Sequence, residues 1–435
     1  MKILVLWPPQ VPSYFNAGHH LTVFNVANHL RDTFPDATVR AVDAGALNVT
    51  WKELGDLLVE RPDLVAIAND FDAVDALKRT IHYARELAPE AKIVTFGRLA
   101  AVLPEFFQQF DVDAIVGAGD PECGVEDIAR SIDQPDHHPR SVWLRTEQGW
   151  RGPETAIPLL PIDRLPLPDV REIPHAAYER LYADDSARFC GIPGRRELVV
   201  PVARGCPVGC AFCDIPGREG KTERRHPVDK VVAYIAQSAE RMPFEYVSMY
   251  APTFTLRKPW VREFCTAYDA SGIGLPWKCT TTLHHLDDAL IRQMGASGCV
   301  RISVGLETLE EAGQAELPRA KHIAEERFHA AAESCRSAGV ELNCFVILGL
   351  PGTSPTGVRH TIERVLAERG RVRPTIYTDF DMMRPEMDEA TIASFNRQLF
   401  SPGPRPEDAQ EYYRLLFDRS APTTAVTSAI PVRSR

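Results

Sequence analysis

The sequence predicts an α/β protein with two parallel sheets in tandem: a Rossmann-like, doubly wound N-terminal domain, then a (β/α)6 partial TIM barrel. Three observations carry this. Short apolar runs alternate with helix-period segments over residues 2–131, the pattern of strands buried on both faces and joined by crossover helices. A stretch dense in proline, histidine and charge interrupts the alternation over 133–170, and from Leu198 it resumes for six further strands. At 435 residues the chain also exceeds one ordinary domain. The expected boundaries are 1–135 for the first domain, 136–195 for a linker, 196–383 for the partial barrel, and 384–435 for C-terminal helices and a disordered tail.

The first strand is Lys2–Leu6 (KILVL), and runs at Ala37–Val42, Asp63–Ala68, Ala91–Phe96 and Asp113–Val116 make five. Helical patterns lie near Leu21–Thr33, Trp51–Glu60, Ala73–Leu87, Ala101–Phe110 and Gly124–Ser131. Such a sheet binds ligands outside the carboxyl ends of its strands. The loops there are Trp7-Pro8-Pro9 through His20, Asn69-Asp70, Gly97-Arg98 and Gly117-Ala118-Gly119-Asp120. No G-x-G-x-x-G follows the first strand, which argues against a dinucleotide. His19 and His20 open the first helix, as a surface pair or as ligand-facing groups, and Tyr14 and Asn16 share their loop.

Residues 133–170 (QPDHHPR, then IPLLPIDRLPLPD) read as a linker in extended segments, and 174–189 as a short helix leading out of it. Barrel strands are expected near 198–203, 244–250, 276–282, 299–306, 342–348 and 374–380, with helices near 228–241, 258–271, 287–296, 322–338 and 355–368. Right-handed crossovers between parallel strands give an open barrel whose active site lies at the strand carboxyl ends. Trp277, Tyr250, Tyr377 and Met382-Met383 are expected to wall a substrate cavity, and Cys279 and Cys344 to pack in the core. Segment 384–418 suggests two short helices over the barrel mouth; residues 419–435, rich in Pro, Thr and Ser, read as disordered.

Composition narrows the partners. The chain is 44% apolar and 25% charged, which is globular. Its net charge of −10, without a basic block, disfavours a nucleic-acid substrate. No stretch approaches the ~18 apolar residues of a membrane span, and the opening MKILVLWPPQ is too short an apolar run for a signal peptide. Ten cysteines, irregularly spaced outside one loop, fit a reducing cytoplasm.

That loop follows the Leu198–Val202 run and places Cys206, Cys210 and Cys213 at C-x3-C-x2-C spacing. Pro207 and Gly209 keep it from becoming helix, so three thiolates can converge on a soft metal centre. A structural zinc site wants a fourth ligand nearby, and a ferredoxin cluster a fourth cysteine. The next cysteine, Cys265, comes about fifty residues later. A 4Fe-4S cubane on three cysteines leaves one iron open to a cofactor or substrate. The alternatives are an incomplete zinc site or three small buried hydrophobes.

The spacing, with Phe212 just before the last cysteine, resembles the signature of the radical S-adenosylmethionine (SAM) enzymes. In that family the open iron chelates SAM, and one electron from the cluster cleaves it to methionine and a 5'-deoxyadenosyl radical. The resemblance implies further SAM contacts. Ser248 and Thr253 stand after the second barrel strand, where the family meets the methionine part, although no acid is present here. Glu307, in Val304-Gly305-Leu306-Glu307-Thr308, is similar to the family's G-x-E-[ST] phrase and would accept from ribose hydroxyls or the SAM ammonium. Gly349, in Gly349-Leu350-Pro351-Gly352, would let backbone approach adenine. Lys321 would meet the SAM carboxylate. The bland readings are a surface Glu307, an ordinary turn at Gly349 and a solvated Lys321. Arg224-Arg225 read as a surface basic pair, or as groups that neutralise the cluster or pair with an acid substrate.

Placed before such a loop, the N-terminal unit resembles the cobalamin-binding domain of the cobalamin-dependent radical SAM enzymes. The residues that carry this are Val5-Leu6-Trp7-Pro8-Pro9, Phe96-Gly97-Arg98, the glycines of Gly117-Ala118-Gly119-Asp120, and the linker phrase 162–169. The family tends to G-E-G-E after the fifth strand, so the first acid is lost here. The implied cobalamin contacts are Pro9, Tyr14, Asn16, His19, Asn69, Gly97, Gly117, Gly119 and Glu122. The D-x-H-x-x-G motif of His-ligated cobalamin mutases is absent. A flavodoxin-like structural or regulatory domain is the alternative.

The implied activity is C-methylation of a poorly activated carbon in a small natural-product intermediate, such as an antibiotic precursor. One SAM methylates cob(I)alamin; a second supplies the 5'-deoxyadenosyl radical; the substrate radical takes its methyl from methylcobalamin. An electron donor of flavodoxin or ferredoxin type is implied. Three other readings stand beside it: a non-methylating rearrangement or cyclisation with the same cofactors, RNA methylthiolation, and a cluster-bearing module without turnover.

Overall fold

The computed structural model describes residues 1–9, 21–181, 196–396, 410–412 and 414–415. Its contacts divide the chain into two units, neither continuous in sequence. The first is Met1–Leu181, Asp214–Arg224 and Phe380–Asn396; the second is Tyr182–Cys213, Arg225–Asp379 and Arg397–Arg435.

In the first unit, β1 (Lys2–Trp7), β2 (Thr38–Asp43), β3 (Leu64–Asn69), β4 (Lys92–Gly97) and β5 (Ala114–Ile115) run parallel in the order 2-1-3-4-5. Helices α1 (Leu21–Thr33), α2 (Trp51–Leu58), α3 (Val74–Leu87), α4 (Arg98–Val102) and α5 (Pro121–Asp133) connect or follow them. Side chains alternate across the sheet, so each strand feeds two cores. Leu4, Leu6, Val65, Ile67 and Ile93 pack with Leu54, Leu77 and Ile81 from α2 and α3. Ile3, Val5, Leu64, Ala66 and Val94 pack with Val23, Val26 and Ile128 from α1 and α5. The single helix expected over 101–110 is instead α4 followed by a 3-10 turn at Pro104–Gln109. Pro104 disfavours helical backbone at Leu103, which sits at φ −141°.

The linker is more structured than its composition suggests. β6 (Trp143–Thr146) and β7 (Gly149–Arg151) form a hairpin that pairs antiparallel with β5 and extends the sheet to seven strands. Trp143 and Trp150 pack against the α2–α3 core, and Trp150 Nε1 donates to Gln108 O at 3.0 Å. Strands of four and three residues are too short to show a period of two. Helix α6 (His175–Leu181) follows; its Tyr178 hydroxyl donates to Asp43 at the end of β2. The rest of the helix expected over 174–189 lies outside the described residues. Helix α7 (Ile215–Glu219) belongs to this unit as well.

In the second unit, β8 (Glu197–Pro201) is followed by a two-residue pair, β9 (Ala203–Arg204) with β10 (Arg224–Arg225). The main strands are β8, β11 (Tyr246–Tyr250), β12 (Trp277–Thr281), β13 (Cys299–Glu307), β14 (Glu341–Leu348) and β15 (Arg371–Ile376), with α8 (Val228–Arg241), α9 (Lys258–Ala270), α10 (Asp288–Ala296), α11 (Glu311–Ala315), α12 (Glu325–Ser337) and α13 (Pro355–Ala367). Each main strand pairs in parallel with its successor, the order of a partial barrel. The last strand lies earlier than expected; Pro374, without an N–H, is tolerated because β15 is a sheet edge.

One face of this sheet is apolar. Trp277 is fully buried there against Phe254 and Phe264, with ring centroids 5.6 and 5.5 Å away. Trp277 therefore fills the helix-side core and does not wall a substrate cavity. Cys279 and Cys344 are buried on the same face, as expected. The opposite face is polar: Lys278 Nζ lies 2.6 Å from Glu197 Oε1, Arg301 pairs with Glu341, and Asn343 Nδ2 donates to Ser303 Oγ at 3.1 Å.

Met382 and Met383 pack in the first unit's core with Ile392 of α14 (Glu389–Ala393), not in the barrel. Tyr412 is buried against Val346, Leu348, Val358 and Ile376 of the second unit, and residues 419–435 lie outside the described ones. Among the described residues, no helix is long and apolar enough to cross a membrane.

Candidate metal centre and ligand-binding loops

The three cysteines lie on the loop that leaves β8 and β9. Gly205 and Gly209 turn it with φ of 84° and 73°, values open to glycine at no steric cost. Cys206 is buried, and Cys210 and Cys213 are half-buried. Cys213 N donates to Cys210 O at 3.1 Å, and Cys206 Sγ lies 3.7 Å from Thr253 Oγ1. Burial pushes the Cys210 thiol up to about 11; Lys321 opposes this, while Glu307, Cys213 and Cys206 reinforce it. Lys321, Glu307 and the other two thiols therefore lie within electrostatic reach of Cys210. Among the described residues, no three His, Cys, Asp or Glu side chains converge closely enough to hold a single metal ion. A cubane asks for a different arrangement, with each thiolate on its own iron.

At the carboxyl end of β13, the register against β14 shifts between Gly305 and Glu307, and Glu307 takes a left-handed φ of 63°. Such a conformation in a non-glycine residue persists only where its surroundings hold it. What holds it is Lys321, whose Nζ lies 2.6 Å from Glu307 Oε1, with both side chains buried. Burial alone would lower the Lys321 pKa; the Glu307 carboxylate and the Cys210 thiol outweigh it and leave it raised. Gly305 makes room for the pair, since a Cβ there would stand 2.2 Å from Lys321 Nζ and 2.3 Å from Glu307 Oε1. Glu307 and Lys321 are thus neither a surface acid nor a solvated lysine.

Phe212 packs with Leu317, Ile347, Leu350 and Tyr377, which ties the cysteine loop to the end of β14. Gly349, at φ 74°, opens the turn after that strand. Ser248 is half-buried on the polar face of β11. Arg225 is no surface residue: it is buried, its Nη1 and Nη2 donate to Phe254 O at 2.8 Å and Thr253 O at 3.1 Å, and its guanidinium lies 4.7 Å from the centre of the Trp260 ring. It fixes the turn that brings Thr253 to Cys206. Nothing in the local sequence marks it out from an ordinary basic pair.

At the strand ends of the first unit, Pro9 is buried, and Tyr14, Asn16 and His19 lie outside the described residues. Asn69 is turned inward, its Nδ2 donating to Thr95 Oγ1 at 2.8 Å and its Oδ1 accepting from Ala100 N at 3.0 Å. Gly97, at φ 138°, allows a close approach that a Cβ would block at 2.2 Å from Asn69 O. Gly119, at φ 124°, is hemmed in by Ile157, whereas a Cβ on Gly117 would meet nothing within 4 Å. Glu122 is fully buried at the start of α5. Arg224 is also not a surface group: it pairs with the buried carboxylate of Asp120 and donates to Leu160 O at 2.8 Å and Glu219 O at 2.9 Å.

The family model described as the Radical SAM superfamily matches residues 200–365, which span the cysteine loop and the Glu307–Lys321 pair. Residues 200–365 are a radical SAM domain. Beyond this radical SAM domain, the chain is 22% identical over 377 residues to an uncharacterized methyltransferase of Pyrococcus horikoshii, covering 83% of this chain and 77% of that one. Over 116 residues it is 28% identical to the bacteriochlorophyllide d C-12(1)-methyltransferase of Chlorobaculum tepidum, 26% of this chain and 25% of the relative. Among solved structures, the radical SAM methyltransferase TsrM from Kitasatospora setae, with tryptophan substrate and a SAM analog bound, superposes with a TM-score of 0.70 at 17% identity, covering 87% of this chain and 73% of TsrM. The cobalamin-dependent radical enzyme OxsB, with aqua-cobalamin bound, gives 0.67 at 13% identity, covering 97% of this chain and 56% of OxsB. These likenesses reach past the radical SAM domain and establish the fold of both units.

Proposed function

We propose that the chain is a cobalamin-dependent radical SAM methyltransferase acting on a poorly activated carbon of a small natural-product intermediate. The observation that carries this is the three-cysteine loop with Glu307 and Lys321 in electrostatic reach of its thiols. The methyltransferase relatives, and the bound cobalamin of TsrM and OxsB, support it.

The donors fit the groups this reading requires. Three thiols on one loop suit a cluster with an open iron, and Cys265, the next cysteine in the sequence, is buried in a helix, 2% exposed. Gly117 has an ordinary φ and open space where a Cβ would stand, so packing does not require its glycine and the position leaves room for a ligand. When bound, the cluster supplies the electron that splits SAM, and the corrin supplies the methyl group.

The chain's own residues hold and orient. Cys206, Cys210 and Cys213 bind the cluster. Lys321, kept cationic by Glu307, meets the SAM carboxylate, and the free edge of Glu307 accepts from the SAM ammonium or ribose. Gly349 admits the adenine, while Phe212, Ser248 and Thr253 line the methionine side. Pro9, Gly97, Gly117 and Gly119 flank the corrin. A flavodoxin- or ferredoxin-type donor in the cytoplasm supplies electrons.

The test is an anaerobic turnover with reconstituted protein, hydroxocobalamin, reductant, SAM and candidate substrates. Roughly equal yields of 5'-deoxyadenosine and S-adenosylhomocysteine are expected. Deoxyadenosine without S-adenosylhomocysteine contradicts methyl transfer and favours a rearrangement.

A further inference from the structure

The stretch Asp214–Arg224 begins one peptide bond after the third cysteine, yet it packs as part of the first unit. Both of its ends are held by charged side chains from loops at the sheet's carboxyl edge. At one end, Arg98, the residue after Gly97, donates from Nε to Asp214 Oδ2 at 2.9 Å. The same guanidinium reaches Asp70 Oδ1 at 3.5 Å and stacks 4.7 Å from the centre of the Phe71 ring. At the other end, Arg224 forks onto Asp120, the residue after Gly119, and Asp120 Oδ2 also accepts from Leu160 N at 2.6 Å. Between the two, Gly119 N donates to Arg218 O at 3.2 Å. Gly220, at φ 92°, lies so close to Leu159 that a Cβ would fall 2.7 Å from its Cδ1.

Exposed ion pairs contribute little, but these are not exposed: Arg98 and Asp214 are 15% and 7% accessible, Arg224 and Asp120 13% and 1%. Buried, multiply bonded pairs of this kind specify one arrangement of backbone, because any shift leaves a charge unpaired. The glycines beside them, Gly97 and Gly119, are the ones the proposed function assigns to the corrin. The loops that would close on the corrin are therefore the loops that grip the chain leaving Cys213.

We infer that corrinoid binding and cluster assembly are thermodynamically linked through Arg98 and Asp120, acting as positioning residues on the segment that leaves the third cysteine. This rests on the proposed function. Because the same buried pairs hold both the β4 and β5 loops and the chain leaving Cys213, a shift that one cofactor imposes on the loops is felt at the other's ligand loop, and such linkage is reciprocal. Both residues act through the backbone and need touch neither group.

The test compares hydroxocobalamin affinity, by absorbance titration, in cluster-loaded and cluster-free protein. The wild type is expected to bind at least about fivefold more tightly when loaded, the lower range of such couplings. In Arg98→Met and Asp120→Asn the ratio falls to about one, whereas Arg98→Lys, which keeps the charge, retains part of it. Thermal melts verify that each variant folds, and the Mössbauer spectrum of the cluster with and without hydroxocobalamin gives a second readout. A wild-type ratio of one overturns the inference, as does a ratio that both variants leave intact. Protein that assembles a cluster but takes up no corrinoid overturns the proposed function together with the inference, and so marks that failure apart.

Discussion

Cys213→Ala protein, purified without oxygen and reconstituted with iron and sulfide, is expected to show no 4Fe-4S absorption and 5'-deoxyadenosine below detection. The loop supplies three thiols, and among the described residues of the second unit the other cysteines, Cys265, Cys279, Cys299, Cys335 and Cys344, are all buried in its body. With two thiolates left, two irons lack a protein ligand and the cubane falls apart. Cys344→Ala is the control. That residue is fully buried among β-strand neighbours, and its loss costs about 1–2 kcal/mol by cavity formation while the cluster stays. Equal iron loss in both variants contradicts the assignment, because one thiol would then be no more a ligand than the other.

Lys321→Met is expected to destabilise the protein by about 3–5 kcal/mol, the cost of leaving a buried carboxylate without its partner. Glu307 has little recourse: its backbone sits at a left-handed φ and its side chain is buried. Adding Glu307→Gln removes the stranded charge and is expected to recover most of that stability in urea denaturation. SAM binding does not return with it, since neither the cation nor the carboxylate is restored. A double variant as unstable as the single one means that the pair serves packing and not charge. Recovery of SAM affinity in the double variant means that Lys321 does not meet the SAM carboxylate.

Much of this was legible in the residues. Continuous apolar runs such as Leu64–Asn69 (LVAIAN) announce central parallel strands, and that one is buried at every position. The cysteine spacing and the G-x-E phrase point to two loops, and the structure puts Glu307 and Lys321 in electrostatic reach of Cys210. What escaped notice depended on partners distant in sequence. Arg225 looks like half of a surface basic pair until Trp260 and the carbonyls of Thr253 and Phe254 surround it. Asp120 and Arg224, 104 positions apart, form a buried pair that no local pattern signals. Trp277 reads as a cavity wall, yet its place in a period-two strand turns it to the helix side. The β6–β7 hairpin hid in a proline-rich stretch because its strands are shorter than the pattern that would reveal them.

The central claim is that three thiolates hold an iron cluster with one iron left open. Electron paramagnetic resonance of the dithionite-reduced, anaerobically purified protein, recorded with and without SAM, tests it most directly. A reduced-cluster signal whose g-values shift when SAM is added is the predicted result. A signal that SAM leaves unchanged, or no cluster signal at all, would contradict it.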